Sequence, residues 1–386
     1  MTKLTGTATL DYCSETRPVQ VSLNLEENAI EVRHPMLDFA TTMSRASGGD
    51  WHRSTPILTD LRLSTPIGII RKDRLEGLLV AAWRGGTRSV YDSTVGTALS
   101  LRAEDEGIST LILHPRSSGI EFSFEPFNEV TPQFEAFYRG SSLSLPRPRE
   151  LLLRPGTAVV AADAAGAVVR ADHPWSDREE LVRLSLGVIS GGPVSVRSVL
   201  ADKSLTVNLA GHDARSAGRL HKKPDDGVVA LQGVYDFLSG LSPDDRTRWG
   251  KATHFFLQGL GGIAPLEVRA INLFTFLEIL DDSKTLSKNS LAYLLDIPLE
   301  DADLLCHSRN RLIHHGDHIE AAIRTANGRI RGEATPLRTA VFSGSGDDEG
   351  GAGVRFFFRF ARLLNALWIR KAHFAGEWND FSDYEC

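Results

Sequence analysis

Only three cysteines occur among the 386 residues, Cys13, Cys306 and Cys386. Their odd number and wide spacing argue against a disulfide framework or a structural zinc site and fit a reducing compartment. Long apolar runs are missing too: no stretch approaches the roughly 20 apolar residues that span a bilayer. The opening "MTKLTGTATLDYCSETRP" lacks the apolar region and small-residue cleavage site of a leader, so a cytoplasmic location with no membrane partner is expected. Positive charge is in deficit, with 43 Lys and Arg against 49 Asp and Glu, a formal net charge of −6. No global basic excess advertises nucleic-acid binding, so any RNA contact must be local. Basic residues gather only in "RLHKKP" (219–224) and "RFFFRFARLLNALWIRKAH" (355–373), and such runs are commonly solvated faces. "GSGDDEGGAG" (344–353) is glycine-rich but lacks the basic residue and strand-loop-helix context of a phosphate cradle, and reads as a flexible surface loop.

What is present is the material of a globular protein, with 42% hydrophobic and 24% charged residues. The length exceeds one ordinary hydrophobic core, so two domains are expected. Up to about residue 215 the apolar pattern has mostly period two. "VQVSLNLEENAIEVRH" predicts two strands around a polar turn; "STLILHPRSSGIEFSFEPF" and "TAVVAADAAGAVVRADH" predict further strand pairs around Gly-containing turns. A helix is predicted in "DREELVRLSLGVIS" (177–190), with Ser176 or Asp177 as its cap. The Pro- and Ser-containing run at 140–156 is a candidate divider between two β subdomains. The histidines of "WHRS" (51–54) and "ADHPW" (171–175) have no partners at interpretable spacing.

Past a polar linker at 216–226 the period becomes 3.6. Ser242, Pro243 and two aspartates announce a helix start. "APLEVRAINLFTFLEILDD" places Leu266, Ala270, Leu273, Phe274, Leu277 and Leu280 on one stripe, and "VRFFFRFARLLNALWIRK" does the same with Phe356, Phe360, Leu363, Leu364 and Leu367. Between Pro298 and Gly316 lies "LEDADLLCHSRNRLIHHG", a helix that Gly316 can close with a left-handed cap. Four or five helices then make a bundle, with β-like fragments and a loop inserted at about 325–353. The expected fold class is α+β multidomain: a β-rich N-terminal domain over 1–215 and an all-α helical bundle over 227–386.

The chemistry concentrates in "SRNRLIHHGDH" (308–318). Its "HHGDH" resembles part of the metal-binding signature of metallo-β-lactamase-like hydrolases, but Ile313 stands where the first histidine should be and the pattern is helical. Wound at about 100° per residue, 302–316 puts Arg309 amid Ala302, Leu305, Cys306, Leu312, Ile313 and Gly316. A guanidinium cannot shed its proton, so such a position demands a carboxylate, and Glu278 on the preceding long helix is the candidate. Asn310 and His314 lie one turn apart, with Asp303 and His307 further along that side.

Arg309, Asn310 and His314 together resemble the "RN-x-x-x-H" form of the motif of the HEPN superfamily. "NLFTFLEIL", carrying Glu278, is similar to its acidic helix, and "AHFAGEWNDF" resembles ApeA-like members, which join a β-rich N-terminal domain to a HEPN bundle. The resemblance implies a cofactor-free, metal-independent endoribonuclease with a composite site across a homodimer, leaving 2′,3′-cyclic phosphate ends. Arg309 would stabilise the phosphorane and Asn310 would position the phosphate or fix the histidine tautomer. Acid and base would be His314 of both subunits, or His314 with His315 or His318. The resemblance further implies an abortive-infection, antiphage effector that cleaves RNA, with tRNA a candidate, and a phage-derived trigger read by the N-terminal domain. The alternative left open is a non-catalytic interaction or regulatory bundle, in which Arg309 and Glu278 are a packing pair.

Overall fold

The computed structural model describes residues 3–12, 15–24, 29–34, 57–65, 68–84, 87–90, 109–115, 119–127, 134–140, 143, 145, 147–153, 156–163, 166–171, 178–201, 203–208, 220–261, 264–281, 286–330, 335–342 and 351–378. Strands come first: β1 (Lys3–Tyr12), β2 (Glu15–Asn24), β3 (Ala29–His34), β4 (Ile57–Ser64), β5 (Gly68–Arg84), β6 (Thr87–Val90), β7 (Ser109–Pro115), β8 (Gly119–Pro126), β9 (Phe134–Arg139), β10 (Arg149–Leu153), β11 (Gly156–Asp163) and β12 (Gly166–Ala171). Helix α1 (Glu179–Ser190) precedes β13 (Ser195–Ala201) and β14 (Ser204–Asn208). The rest is helical: α2 (Pro224–Gly240), α3 (Pro243–Leu260), α4 (Leu266–Asp281), α5 (Lys288–Leu295), α6 (Leu299–His315), α7 (Ile319–Arg329), α8 (Pro336–Phe342) and α9 (Gly351–Lys371). The chain is therefore α+β, an antiparallel β region followed by a helical one. No described helix is long and apolar enough to cross a membrane.

Two compact units form, one from 1–137, 170–175 and 196–212, the other from 138–169, 176–195 and 213–386. The last division, between 212 and 213, lies close to the change of period near 215, but 138–169 and 176–195 also belong with the helices. The run at 140–156 begins just after the division between 137 and 138, lies in the second unit and supplies β10.

In the first unit β1 pairs β2, β2 pairs β3, β3 pairs β7, β7 pairs β5, β5 pairs β4, and β4 returns to β1, all antiparallel. Six strands therefore close into a barrel with no free edge around that ring. Its core takes alternate residues, such as Leu4, Ala8 and Leu10 of β1 and Val19, Val21 and Leu23 of β2. The hairpin expected over 19–34 is present as β2–β3, Val21 facing Val32. The pair expected around "RSSG" is not a hairpin: β8 pairs with the first residues of β5, Gly68–Arg71, and β7 with the last, Gly77–Arg84. A 17-residue strand has room for a different partner at each end, a choice the local turn does not record.

The ring carries register shifts between β5 and β7 at Leu79/Ala81 and between β1 and β4. Between Thr7↔Arg62 and Thr9↔Thr59, β4 carries one residue more than β1, and Asp60 takes a left-handed φ of 52°. This bulge turns the buried leucines from even Leu58 to odd Leu61 and Leu63. Beside it, a Cβ on Gly6 would stand 1.8 Å from the Arg62 carbonyl oxygen.

The second unit is organised round an aromatic cluster in which Trp368 of α9 meets Trp249 of α3 at 5.2 Å and Phe256 at 5.8 Å between centroids. The expected Ser242 cap is present, its Oγ accepting from the Asp245 N–H at 3.2 Å. For α1 the N-cap is Arg178 with no side-chain cap, and Ser176 and Asp177 lie outside the described residues, as do "WHRS" and the "DHPW" of 172–175. Of the stretch from 328 in which β-like fragments were expected, 328–329 end α7 and 336–342 form α8, while 331–334 lie outside the described residues. Residues 351–353 of the expected glycine-rich loop are the first turn of α9, and 343–350 lie outside the described residues.

Arginines close helix ends from neighbouring helices. Arg246 donates to the Ser239 and Leu241 carbonyls after α2, Arg269 to Gly259 and Leu260 at the end of α3, Arg370 to Leu294 of α5, and Arg355 to Val341 of α8. None of these four helices has a basic residue in its own last turn. Elsewhere Glu180 of α1 accepts from Arg183 through both oxygens at 2.7 Å and lies 3.2 Å from His254 Nε2 of α3. Burial pushes the Glu180 carboxyl up, but the hydrogen bonds and charges of His254 and Arg183 outweigh it and hold the group at about 2.

Two outcomes test this account. Gly6→Ala should lower stability by roughly 2 kcal/mol or more, as overpacking against backbone does, while exposed Thr7→Ala should change little. Equal urea midpoints for the two would remove the close approach from the explanation. The depressed Glu180 carboxyl stabilises the fold fully above its ordinary value near 4.5 and loses that contribution as pH falls towards 2. The melting-temperature gap between wild type and Glu180→Gln should therefore be present at pH 6 and shrink steadily below pH 4.5.

Candidate active site on helix α6

Helix α6 starts at Leu299 after Pro298 and ends at Gly316, which has the left-handed φ of 66° expected of a glycine cap. Its first turn is tied to α8: Asp301, buried, accepts from Thr335 Oγ1 and from the Leu337 N–H at 3.3 Å. The buried face comprises Asp301, Ala302, Leu304, Leu305, Ser308 and Leu312. It is centred near Ser308 rather than on Arg309, as the helical wheel had it. The wheel weighed hydrophobicity alone, whereas small or capping polar residues, Ser308 and Asp301, take core positions here.

Arg309 therefore sits at the rim of the core, its side chain 13% exposed. There it meets Glu278 of α4, 29% exposed, with Nε donating to Oε1 at 2.5 Å and Nη2 reaching the same oxygen. The pair is thus convergent on one oxygen rather than a two-oxygen fork. Nη1 donates to Asn310 Oδ1 at 2.9 Å, so Asn310 is drawn to the guanidinium. Each terminal nitrogen still carries a second hydrogen that can be offered to an anion.

The histidines divide by what they touch. His314 and His315 occupy the last turn of α6, exposed and without a hydrogen-bond or ion-pair partner among the described residues. His318, 93% exposed beyond the cap, faces Glu267 at 3.6 Å. Glu267 itself is held below the usual carboxylate range, chiefly by its own backbone N–H and also by the Ile319 N–H and His318. Within α6, His307 Nε2 lies 3.7 Å from Asp303 Oδ1, one turn back. Asp303, His307, Asn310 and His314 form one row along the helix, spaced by four, three and four residues.

Neither Arg311 nor Asp317 joins the site, since they bond each other, Nε to Oδ2 at 2.6 Å. Cys306, half-buried, has its thiol pushed up by burial. Among the described residues no group of three or more His, Cys, Asp or Glu is placed to hold a metal ion. The structure thus brings together Arg309, Asn310 and Glu278, sets His314 one turn away, and leaves His315 and His318 outside that group. The Asp303–His307 pair was visible in the sequence as an i, i+4 acid–imidazole spacing but not singled out as part of the site.

Such a group can hold an anion at Arg309 and exchange a proton at His314. It has no thiol or hydroxyl nucleophile in the row. Comparison with protein-family models, curated proteins and solved structures gave no match.

The Arg309–Glu278 contact has a measurable weight. Glu278→Ala strands a largely sheltered guanidinium and should cost about 1–3 kcal/mol, whereas Arg309→Met with Glu278→Leu should recover much of that loss. A denaturant double-mutant cycle measures the coupling; a value near zero would make the pair a solvated surface contact.

Proposed function

We propose that this chain is a metal-independent endoribonuclease of the HEPN type, acting as a homodimer, and that its biological role is abortive infection against phage in the cytoplasm. The observation that carries the reading is a single helix bearing Arg309, anchored by Glu278 and Asn310, one turn before an exposed and unpartnered His314. RNA supplies its own nucleophile in the ribose 2′-hydroxyl, which fits a row without Ser or Cys chemistry. A base takes the 2′ proton, the 2′-oxygen bonds to phosphorus, the P–O5′ bond breaks, and an acid protonates the departing 5′-oxygen. Arg309 offers its remaining N–H groups to the phosphorane as charge builds on it. Products are a 2′,3′-cyclic phosphate and a 5′-hydroxyl, and both imidazoles return to their starting states by exchange with water.

A chain with net charge −6 binds RNA through such local contacts, so its affinity should fall steeply with salt. tRNA, compact and rich in exposed loops, is the substrate to try first. The β-rich part is proposed to recognise a phage component that releases the nuclease.

The competing reading, a non-catalytic interaction bundle, draws support from one observation: Nε, Nη1 and Nη2 of Arg309 are all engaged within the protein. One experiment separates the two. Purified protein is incubated with RNA in EDTA, ends are mapped, and growth of expressing cells is followed in parallel. Cleavage to cyclic-phosphate ends, reduced roughly 10²-fold or more by His314→Ala and by Arg309→Ala, is expected. Cutting that requires added divalent metal, or that survives His314→Ala, overturns the assignment.

A further inference from the structure

We infer that His307, paired with Asp303, is the second imidazole of the site and that it acts across the dimer, facing His314 of the other copy. The inference rests on the ribonuclease reading above and adds the identity of the partner group. Transfer at phosphorus needs a base and an acid, and the row of Asp303, His307, Asn310 and His314 contains two imidazoles. Seven residues of α-helix return within about 20° of the same direction, so both project from one face. They are, however, separated by about 10 Å along the axis at 1.5 Å per residue. The 2′-oxygen and the leaving 5′-oxygen of one phosphate are only a few ångströms apart, so one helix cannot present both groups to the same phosphate.

A second copy removes the obstacle. Two α6 helices packed antiparallel about a two-fold axis at the level of 310 and 311 bring residue 307 of each opposite residue 314 of the other, because those numbers lie symmetrically about the axis. At the usual 8–10 Å between helix axes, a phosphate fits between the facing imidazoles, with Asn310 beside it. Pairing His314 with its own symmetry mate requires the axis to pass instead at the helix end, where Gly316 terminates the row and Asn310 is left a turn away.

The Asp303 pair assigns the roles. Asp303 and His307 are 28% and 33% exposed, sheltered enough to be held and open enough to meet a substrate. A carboxylate 3.7 Å from Nε2 holds the N–H tautomer at that nitrogen and leaves Nδ1 open to take the 2′ proton. His314, the open imidazole of the row, is then the acid that protonates the 5′-oxygen. His315, one residue on, is turned by about 100° from this row, and His318 lies past the cap on Glu267.

Mixing inactive variants tests the arrangement. His307→Ala and His314→Ala homodimers should each lose roughly 10²- to 10⁴-fold in cleavage rate with unchanged circular dichroism and melting temperature. After subunit exchange, about half of the dimers contain one of each, and each of these keeps one site with an intact His314 opposite an intact His307. Activity should return to about one quarter of the wild-type rate. No recovery, with exchange verified by native mass spectrometry, overturns the crossed pairing in favour of His314 from both copies or of two groups from one chain. Full activity in His307→Ala likewise overturns it. Asp303→Asn should lower kcat with little change in KM, an effect that a merely structural carboxylate would not confine to kcat. If wild type itself cuts no RNA, the ribonuclease reading fails first, an outcome distinct from active wild type without complementation.

Discussion

A positive charge fixed at the rim of a helical core constrains everything built around it. In this bundle the arginines that reach between helices mostly end on backbone carbonyls: Arg246, Arg269, Arg355 and Arg370 each close the C-terminus of another helix. Those carbonyls have no N–H partner within their own helix, and a guanidinium satisfies them while opposing the negative end of the macrodipole. Arg309 departs from this use. It ends on the Glu278 carboxylate and on its neighbour's amide, with no helix end to close. Two ionised groups drawn from water for packing alone are readily replaced by apolar residues of similar size. The proposed ribonuclease reading gives the pair a second use, as an anion site.

The same economy takes up part of the basic runs of the sequence. Arg355 and Arg370, in the longest such run, are committed to helix ends, and Lys223 of the other is paired with Glu377 at 2.6 Å. These three cations look solvated in a linear reading but are engaged within the protein.

How much could be read in advance follows the range of the interactions involved. The β2–β3 pairing, the Ser242 start and the Gly316 stop depend on residues within one turn of themselves, and their chemistry is visible in a few letters. The partners of β5 are not, because a 17-residue strand chooses β8 at one end and β7 at the other from distant parts of the chain. Nor is α8: its N-terminus is held by Asp301, which lies 36 residues before Leu337. The bulge at Asp60 flips the inward face of β4 midway, so strict alternation fails there although the strand continues. At the site, the need of a sheltered guanidinium for a carboxylate was enough to single out Glu278, whereas the centre of the buried face was displaced by one residue because Ser308 is a core residue.

Histidines at a helix C-terminus have an ordinary explanation, since an imidazolium there opposes the macrodipole and can bond the last carbonyls. His318 lies by Glu267 and His307 by Asp303, while His314 and His315 have no partner among the described residues although both stand in the last turn of α6. The row on α6 therefore holds one imidazole beside a carboxylate and one left open, and the proposed base and acid rest on that difference in surroundings.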